Sequence, residues 1–339
     1  MAQVPLAVVG MACRLPGASD VSSLWRNVVT DTCAIRPLPP ERFHKERYYD
    51  PEIGAYGKSY SAIGGVVEDG KFDPTGLGLE GEDLAGVDRA HLWALDVART
   101  TIADSGFDQG SLAARRVGVV IGHARGSMLS SDLAFGCAVE GLVESAIAVP
   151  ELGDLSADAR ARIGREAVAR VRRRFPSRGS HDLASTLAAG LAGRIAHAFD
   201  LKGRSMVVDA ACASSFAALD VAARALASGR LDAALVGGAS YSQELSVVLF
   251  AQSRALSPDG SFPFDERANG FISSDGVAFF LVMRLDDAIK AGARIRAVIR
   301  GVGGACDGKG KALWAPRKEG QVLAMRRAYE GSGVDPASI

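Results

Sequence analysis

The chain carries no excess of charge of either sign, no paired cysteines and no apolar run long enough to cross a membrane, and each absence removes a class of function. Lys and Arg total 39 and Asp and Glu total 39 over 339 residues, a formal net charge of zero. A nucleic-acid binder relying on bulk positive charge is therefore excluded, although a local basic patch is not. The five cysteines, Cys13, Cys33, Cys137, Cys212 and Cys306, are odd in number and scattered, with no CxxC pair and no histidine at ligand spacing. That pattern suits a reducing compartment and argues against a disulfide framework or a structural metal. The N-terminus lacks the basic, apolar and small-residue succession of a signal peptide, so a cytoplasmic location is expected, with neither membrane nor nucleic acid as partner. What is present is 48% hydrophobic and 23% charged. This is the composition of a globular protein with a sizeable core, long enough for one large domain or two of ordinary size.

Residues 203–229, GRSMVVDAACASSFAALDVAARALASG, place a single cysteine where the sequence changes period. Met206, Val207 and Val208 have the character of a buried strand, whereas from Ser214 onward alanine and leucine favour helix, with Phe216, Leu219, Ala223 and Leu226 spaced for one face. Ala210, Ala211 and Ala213 are small enough for the backbone to turn sharply around Cys212, and Ser214 and Ser215 are suited to capping the helix. A cysteine in that turn sits at the positive end of a helix dipole, which favours thiolate and hence nucleophilic chemistry. A buried, inert cysteine is the competing reading, because free Cys is among the most buried residue types.

The rest of the chain reads as α/β. Residues 4–10 form an apolar run closed by glycine, expected as a central strand that opens the sheet. Residues 11–25 read as a loop leading into a helix capped by Asp20 or Ser22, and Cys13 within it as structural. Residues 30–71, rich in Pro, Gly, Arg and Tyr, read as a long surface excursion of the kind that covers a site or an interface. A helix is expected over 87–106 with Gly106 as its C-cap, and His91 in it is assigned no chemistry. The strand expected at 116–122 leads directly into His123, at a strand end where α/β enzymes place function. Residues 130–180 look inserted, with a break at Pro150 and a charged helix over 157–175. Its Arg170, Arg172, Arg173 and Arg174 suit either a solvated helix end or an acidic partner. The helix expected over 183–199 has Gly190 and Gly193 for close backbone approach. Strands are expected at 231–238, 277–283 and 294–302, and a last helix at 321–331. Asp265, Arg267 and Asp275 read as a structural ion-pair network holding a Pro/Gly-rich loop. The glycine-dense residues 301–310 lack GxGxxG spacing and read as a flexible turn.

Several segments, in order along the chain, resemble the β-ketoacyl synthase domain of type I polyketide synthases and polyunsaturated fatty acid synthases. They are VVGMACRLPGA (8–18), VDAACASS (208–215), LVGGAS (235–240), ALSPDGSFPFDERANGF (255–271) and APRKEGQ (315–321). The resemblance implies a thiolase-like α/β fold in which two similar halves pack as an α-β-α-β-α sandwich, usually as a homodimer. Residues 1–285 are then the first half, with insertions at about 30–80 and 130–180, and 286–339 begin the second. It further implies that Cys212 accepts an acyl chain as a thioester, its backbone N–H serving as oxyanion donor. The substrates are carried on the phosphopantetheine of an acyl carrier protein, with no cofactor of the chain's own and with other synthase domains as partners. A malonyl-type extender is decarboxylated and condensed with that thioester.

One departure stands out. The family completes its site with a histidine in an HGTGT motif, a second in a later asparagine- and glycine-containing motif, and a lysine. His44, His91, His123, His181 and His197, the five histidines here, match neither motif. A truncated reading frame, a fragment or one piece of a split protein is therefore expected. A second departure is Ser274-Asp275-Gly276, where the family has Gly-Glu-Gly, a carboxylate shortened by one methylene. Two alternatives to a condensing enzyme stay open: a partial ketosynthase that serves in dimerisation or partner binding, and a thiolase-type acyltransferase on coenzyme A esters.

Overall fold

A computed structural model describes residues 3–68, 70–79, 84–124, 128–173, 184–310 and 315–339. Its framework is a six-stranded mixed sheet with strand order β5-β4-β6-β7-β1-β8. In chain order the strands are β1 (Leu6–Arg14), β4 (Val117–Gly122), β5 (Ser205–Val208), β6 (Ala233–Ser240), β7 (Gly276–Arg284) and β8 (Ala297–Ile299). β4 runs parallel to both β5 and β6, while β7 is antiparallel to β6 and β1. A separate ribbon, β2 (Ile35–Pro37) with β3 (Ile63–Gly65), lies in the excursion.

Side chains alternate across a strand, so each strand supplies both faces of the sheet. One face carries Val119, Ile121, Leu235, Phe279 and Leu281 and is covered by α2 (Arg89–Ser105) and α5 (Ala188–Ala198), through Leu95, Ile102, Leu191 and Ile195. The other carries Val120, Val236 and Val282 and is covered by α6 (Ser214–Ala227), through Ala218, Ala222 and Leu226. Fully burying one such leucine is worth about 1.5–3 kcal/mol, and Leu226 is wholly buried. Between β4 and α5 the chain forms two further helices, α3 (Met128–Ile147) and α4 (Ala157–Arg172), which pack on each other. Further helices are α1 (Val21–Val29), α7 (Glu244–Gln252), α8 (Leu285–Lys290) and α9 (Lys318–Tyr329), beside two short ones at Lys45–Tyr48 and Gln109–Ala113.

Asp20 caps α1 in a reciprocal capping box with Ser23, and Gly106 ends α2 in the left-handed conformation at φ 73°. Other expectations are corrected. β1 continues through residues 11–14, read above as loop, because a register shift between Val8 and Gly10 lets those residues stay paired with β7. Met206–Val208 is only half-buried, since β5 is an edge strand. The face of α6 differs in part: Leu226 packs on the sheet, with Leu219 and Ala223 beside it, but Ala218 and Ala222 make the closest approach and Phe216 is 72% exposed. An added Cβ at Gly190 would lie 1.7 Å from the carbonyl oxygen of Ala184, so close approach there is real, whereas Gly193 faces open space. The strand expected over 294–302 shrinks to Ala297–Ile299. Arg174, His181, and the start of the helix expected at 183 lie outside the described residues.

Candidate active site

Cys212 lies in a single 3-10 turn, Ala211–Ala213, between the carboxyl end of β5 and the first residue of α6. Hydrogen bonds hold the turn, the Ser214 N–H donating to the Ala211 carbonyl among them. Ala211 N–H donates to Asp209 Oδ1 at 3.0 Å, and Ala213 N–H to the Ala210 carbonyl at 3.1 Å. Ser214 Oγ accepts from Ala210 N–H at 2.9 Å and donates to the Ala211 carbonyl at 2.6 Å. Ser214 was expected to cap α6; instead it knots the turn that precedes α6, and Ala213 occupies the N-cap without a side-chain bond. Ala211 has φ +51°, a left-handed conformation costing an alanine about 1–2 kcal/mol, which these bonds hold in place.

The turn is seated by glycines from two strands. A Cβ on Gly122, the last residue of β4, would lie 2.3 Å from Ser215 N, and one on Gly238 of β6 would lie 3.2 Å from Ser215 Cβ. The start of α6 thus rests directly on the carboxyl ends of β4 and β6, where only a missing side chain leaves room. The consequence is a cysteine exposed at the edge of the sheet, with a helix N-terminus behind it. Among the described residues no acceptor takes the Cys212 N–H, which leaves it free to donate to an oxyanion.

Cys13 is the opposite case. It is buried in β1, and desolvation, followed by the charge of Asp20, pushes its thiol up. The neighbouring Arg14 is turned to the Glu68 carbonyl at 3.0 Å and to Asp96 at 3.5 Å.

Among the described histidines none is hydrogen-bonded or ion-paired to Cys212. His44 lies on the excursion beside Glu244 at 3.9 Å. His123 is buried, its backbone N–H donating to the Val208 carbonyl at 3.2 Å and its Nδ1 2.8 Å from the Ala239 carbonyl. It ties the ends of β5, β4 and β6 together. His91 on α2 is 1% exposed with Nδ1 unpartnered among the described residues, and burial lowers its pKa to about 3, the charges of Arg194 and His123 adding to the effect.

Asp265, Arg267 and Asp275 do not form one network. Asp265 and Arg267 pair only locally, at 2.8 Å. Asp275 accepts from Arg42 at 2.6 and 2.7 Å, from Ser242 N–H at 2.7 Å and from Val67 N–H at 3.0 Å, with its side chain fully buried. Burial pushes this carboxyl up against the opposing pull of Arg42, whose guanidinium also stacks 4.0 Å from the Tyr241 ring centroid. The shortened carboxylate therefore does reach partners, and it clamps the excursion to the chain leaving β6. Sequence reasoning missed Arg42, which no local pattern links to Asp275. Gly122 and Gly238 were visible only as strand-ending glycines. No group of three His, Cys, Asp or Glu among the described residues is placed to hold a metal ion.

Residues 3–288 match the family of β-ketoacyl synthase N-terminal domains. The chain is 32% identical, over 339 residues, to a mycocerosic acid synthase-like polyketide synthase of Mycolicibacterium smegmatis; the match covers 99% of this chain and 14% of that protein. It is also 32% identical, over 340 residues, to a component of the pikromycin polyketide synthase of Streptomyces venezuelae, covering 99% of this chain and 19% of the relative. Among solved structures, the oxazolomycin ketosynthase domain of Streptomyces albus superimposes with a TM-score of 0.80 at 26% identity, over 99% of this chain and 52% of that one. The ketosynthase from module 6 of the bacillaene synthase of Bacillus subtilis gives a TM-score of 0.77 at 28% identity, over 99% and 50%. The fold is thus the thiolase-like α/β arrangement, and the chain spans about half the length of these solved ketosynthases.

Proposed function

Because the chain belongs to the β-ketoacyl synthase family, we propose that Cys212 is the acyl-accepting nucleophile of a condensing enzyme in polyketide or fatty acid biosynthesis. The Cys212 thiolate attacks the carbonyl of an acyl group held as a thioester on the phosphopantetheine arm of an acyl carrier protein. The oxyanion of the tetrahedral intermediate is stabilised by the Cys212 N–H. Collapse breaks the bond to the arm, whose thiolate takes up a proton, and the acyl group remains on Cys212. Sulfur donates little electron density to the carbonyl, so this thioester stays open to a carbon nucleophile. A malonyl-type extender on a carrier then loses carbon dioxide. Its carbanion attacks the thioester carbon, and Cys212 leaves as thiolate.

The first transfer uses only what surrounds Cys212. The decarboxylative step draws, by family analogy, on two histidines and a lysine in motifs that residues 1–339 do not contain. Residues 1–285 form the first half of the fold and 286–339 begin the second, in a homodimer that works beside other synthase domains.

The observation that carries this reading is the exposed Cys212 on a strained turn between the end of β5 and the start of α6. Incubation with an acyl-N-acetylcysteamine thioester is expected to add one acyl mass to the intact chain and none to Cys212→Ala. Equal labelling of the variant overturns the assignment. Carbon dioxide release from malonyl carrier protein is expected to stay at the uncatalysed rate with this chain alone. Release matching a full-length relative would show that the decarboxylating groups lie within these residues.

A further inference from the structure

The residue that follows β4 does more than a strand end requires. The register of β4 with β6 ends at Gly122 and Gly238, and that with β5 at Gly122 and Val208. His123, one residue on, keeps hold of both neighbours. Its N–H adds one more bond on the β5 side, to the Val208 carbonyl at 3.2 Å, and its ring crosses to the β6 side, where Nδ1 lies 2.8 Å from the Ala239 carbonyl. A carbonyl oxygen only accepts, so Nδ1 carries the proton. Alanine or valine would supply the same backbone bond. The cross-link to β6 needs a side-chain donor, and burial of the ring shields that bond from water.

Each of the three residues joined in this way stands next to one that seats the Cys212 turn. Asp209, whose carboxylate accepts the Ala211 N–H at 3.0 Å, follows Val208. Gly238, where an added Cβ would lie 3.2 Å from Ser215 Cβ, precedes Ala239. Gly122, where it would lie 2.3 Å from Ser215 N, precedes His123 itself. The cross-link therefore sets the spacing of the strand ends on which the start of α6 rests, and through them the place of the Cys212 backbone.

Acyl transfer is sensitive to that place in a way that thiol reactivity is not. The developing oxyanion is held by the Cys212 N–H, a backbone donor that cannot reorient on its own, and a misplacement of about 1 Å can cost about a hundredfold in rate. The Sγ atom sits on an exposed side chain and can meet an alkylating agent from more than one rotamer. Alkylation builds no oxyanion, so it reads the thiolate alone.

We propose that His123 is a positioning residue for acyl transfer: its Nδ1–H bond to the Ala239 carbonyl holds the ends of β4 and β6 at the spacing that aims the Cys212 N–H at the oxyanion. The proposal rests on the acyl-transfer reading. Its test compares two reactions of the full chain, followed by mass spectrometry of the peptide that contains Cys212: acylation by an acyl-N-acetylcysteamine thioester and alkylation by iodoacetamide. His123→Leu keeps the backbone N–H and fills the space but has no donor. His123→Asn places an amide N–H the same number of bonds from Cα as Nδ1. The leucine variant is expected to acylate at least about tenfold more slowly, with the loss in the maximal rate and not in the half-saturating thioester concentration, while alkylation stays within about twofold of wild type. Asparagine is expected to restore acylation to within about threefold of wild type. In His123→Gln the amide lies one bond further out, and this variant is expected to acylate as slowly as the leucine one, so Asn against Gln decides the question even if leucine prevents folding. Acylation and alkylation that fall together, as a general loss of folded protein would produce, overturn the proposal, and so does an asparagine variant as slow as Leu or Gln. Acylation at the wild-type rate in His123→Gln overturns it as well. Failure of the thioester to label wild-type Cys212 overturns the acyl-transfer reading itself, and the positioning role falls with it.

Discussion

Gly122 has no side chain because the first turn of α6 occupies the space one would need. A methyl group there would lie 2.3 Å from Ser215 N and 2.4 Å from the Ser214 carbonyl carbon, both backbone atoms that cannot swing aside. Gly122→Ala is therefore expected to lift the start of α6, costing about 1–3 kcal/mol in urea unfolding and slowing acylation of Cys212 more than tenfold. A variant with wild-type stability and labelling would show that the turn does not depend on this contact. His91 makes a different prediction, since it is buried without a partner for Nδ1 among the described residues and has a pKa of about 3. Its folded pKa lies below the unfolded value of about 6.5, so the folded state binds fewer protons. Stability is intact above pH 6.5 and falls by about 1.4 kcal/mol per pH unit between there and about pH 3. His91→Leu removes the ionisable group and should flatten that slope while leaving stability at pH 7.5 within about 1 kcal/mol of wild type. Parallel pH profiles of the two proteins would exclude His91 as the source of acid sensitivity.

At the scale of elements, the starts of β4 and β6 are pinned by one ion pair. Asp232, just before β6, accepts from Arg116 Nη2 at 2.7 Å, from its Nε at 3.1 Å and from its backbone N–H at 3.0 Å, with Arg284 at 3.6 Å from the end of β7. These donors, Arg116 first, lower the Asp232 pKa to about 2. A carboxylate so lowered stabilises the fold above its unfolded pKa of about 3.9, and the contribution fades as pH falls toward 2. Solvent screening at this partly exposed site holds the effect to about 1 kcal/mol. Asp232→Asn should thus be less stable at pH 7, with the gap closing below pH 4. A gap that stays constant with pH would assign the effect to packing. β4 and β6 were readable from sequence because nearly all of both faces is buried, giving the unbroken apolar runs of central strands, and β7 shares that run although Phe280 on one face is exposed. β5 carries the same residue types but lies at an edge, and nothing in Met206, Val207 and Val208 reveals position within a sheet. The packing side of α6 was read in part: Leu226 packs and Leu219 and Ala223 flank it as their spacing implies, while Phe216 stays exposed because Ala218 and Ala222 take the contact with the sheet. The turn that carries Cys212 was legible for the opposite reason: strand, small residues, Cys212 and helix are consecutive. The Asp275 clamp was not, since Arg42 stands 233 residues away in sequence.

At the scale of the whole molecule, the sheet ends in an open strand. Among the described residues β5 is paired on one side only, with β4. Val119 N–H donates to the Arg204 carbonyl at 2.8 Å and His123 N–H to the Val208 carbonyl at 3.2 Å, so even-numbered residues serve the ladder with β4. In a parallel pair the alternate residues, Ser205 and Val207, turn their N–H and C=O groups outward. A half-buried edge with such groups unpaired is a template for another strand. It is the surface through which the proposed homodimer can continue the sheet into a second copy. Proline at Val207 removes an outward N–H and leaves the β4 ladder intact, which an edge strand tolerates. Sedimentation velocity is expected to show a concentration-dependent dimer for the wild-type chain and a monomer for Val207→Pro. Labelling of Cys212 by a small thioester should persist in the monomer, because the turn and its hydrogen bonds come from one chain. A Val207→Pro variant that still dimerises would move the dimer contact away from β5. The exposed apolar side of α6, at Phe216, is then the next surface to substitute.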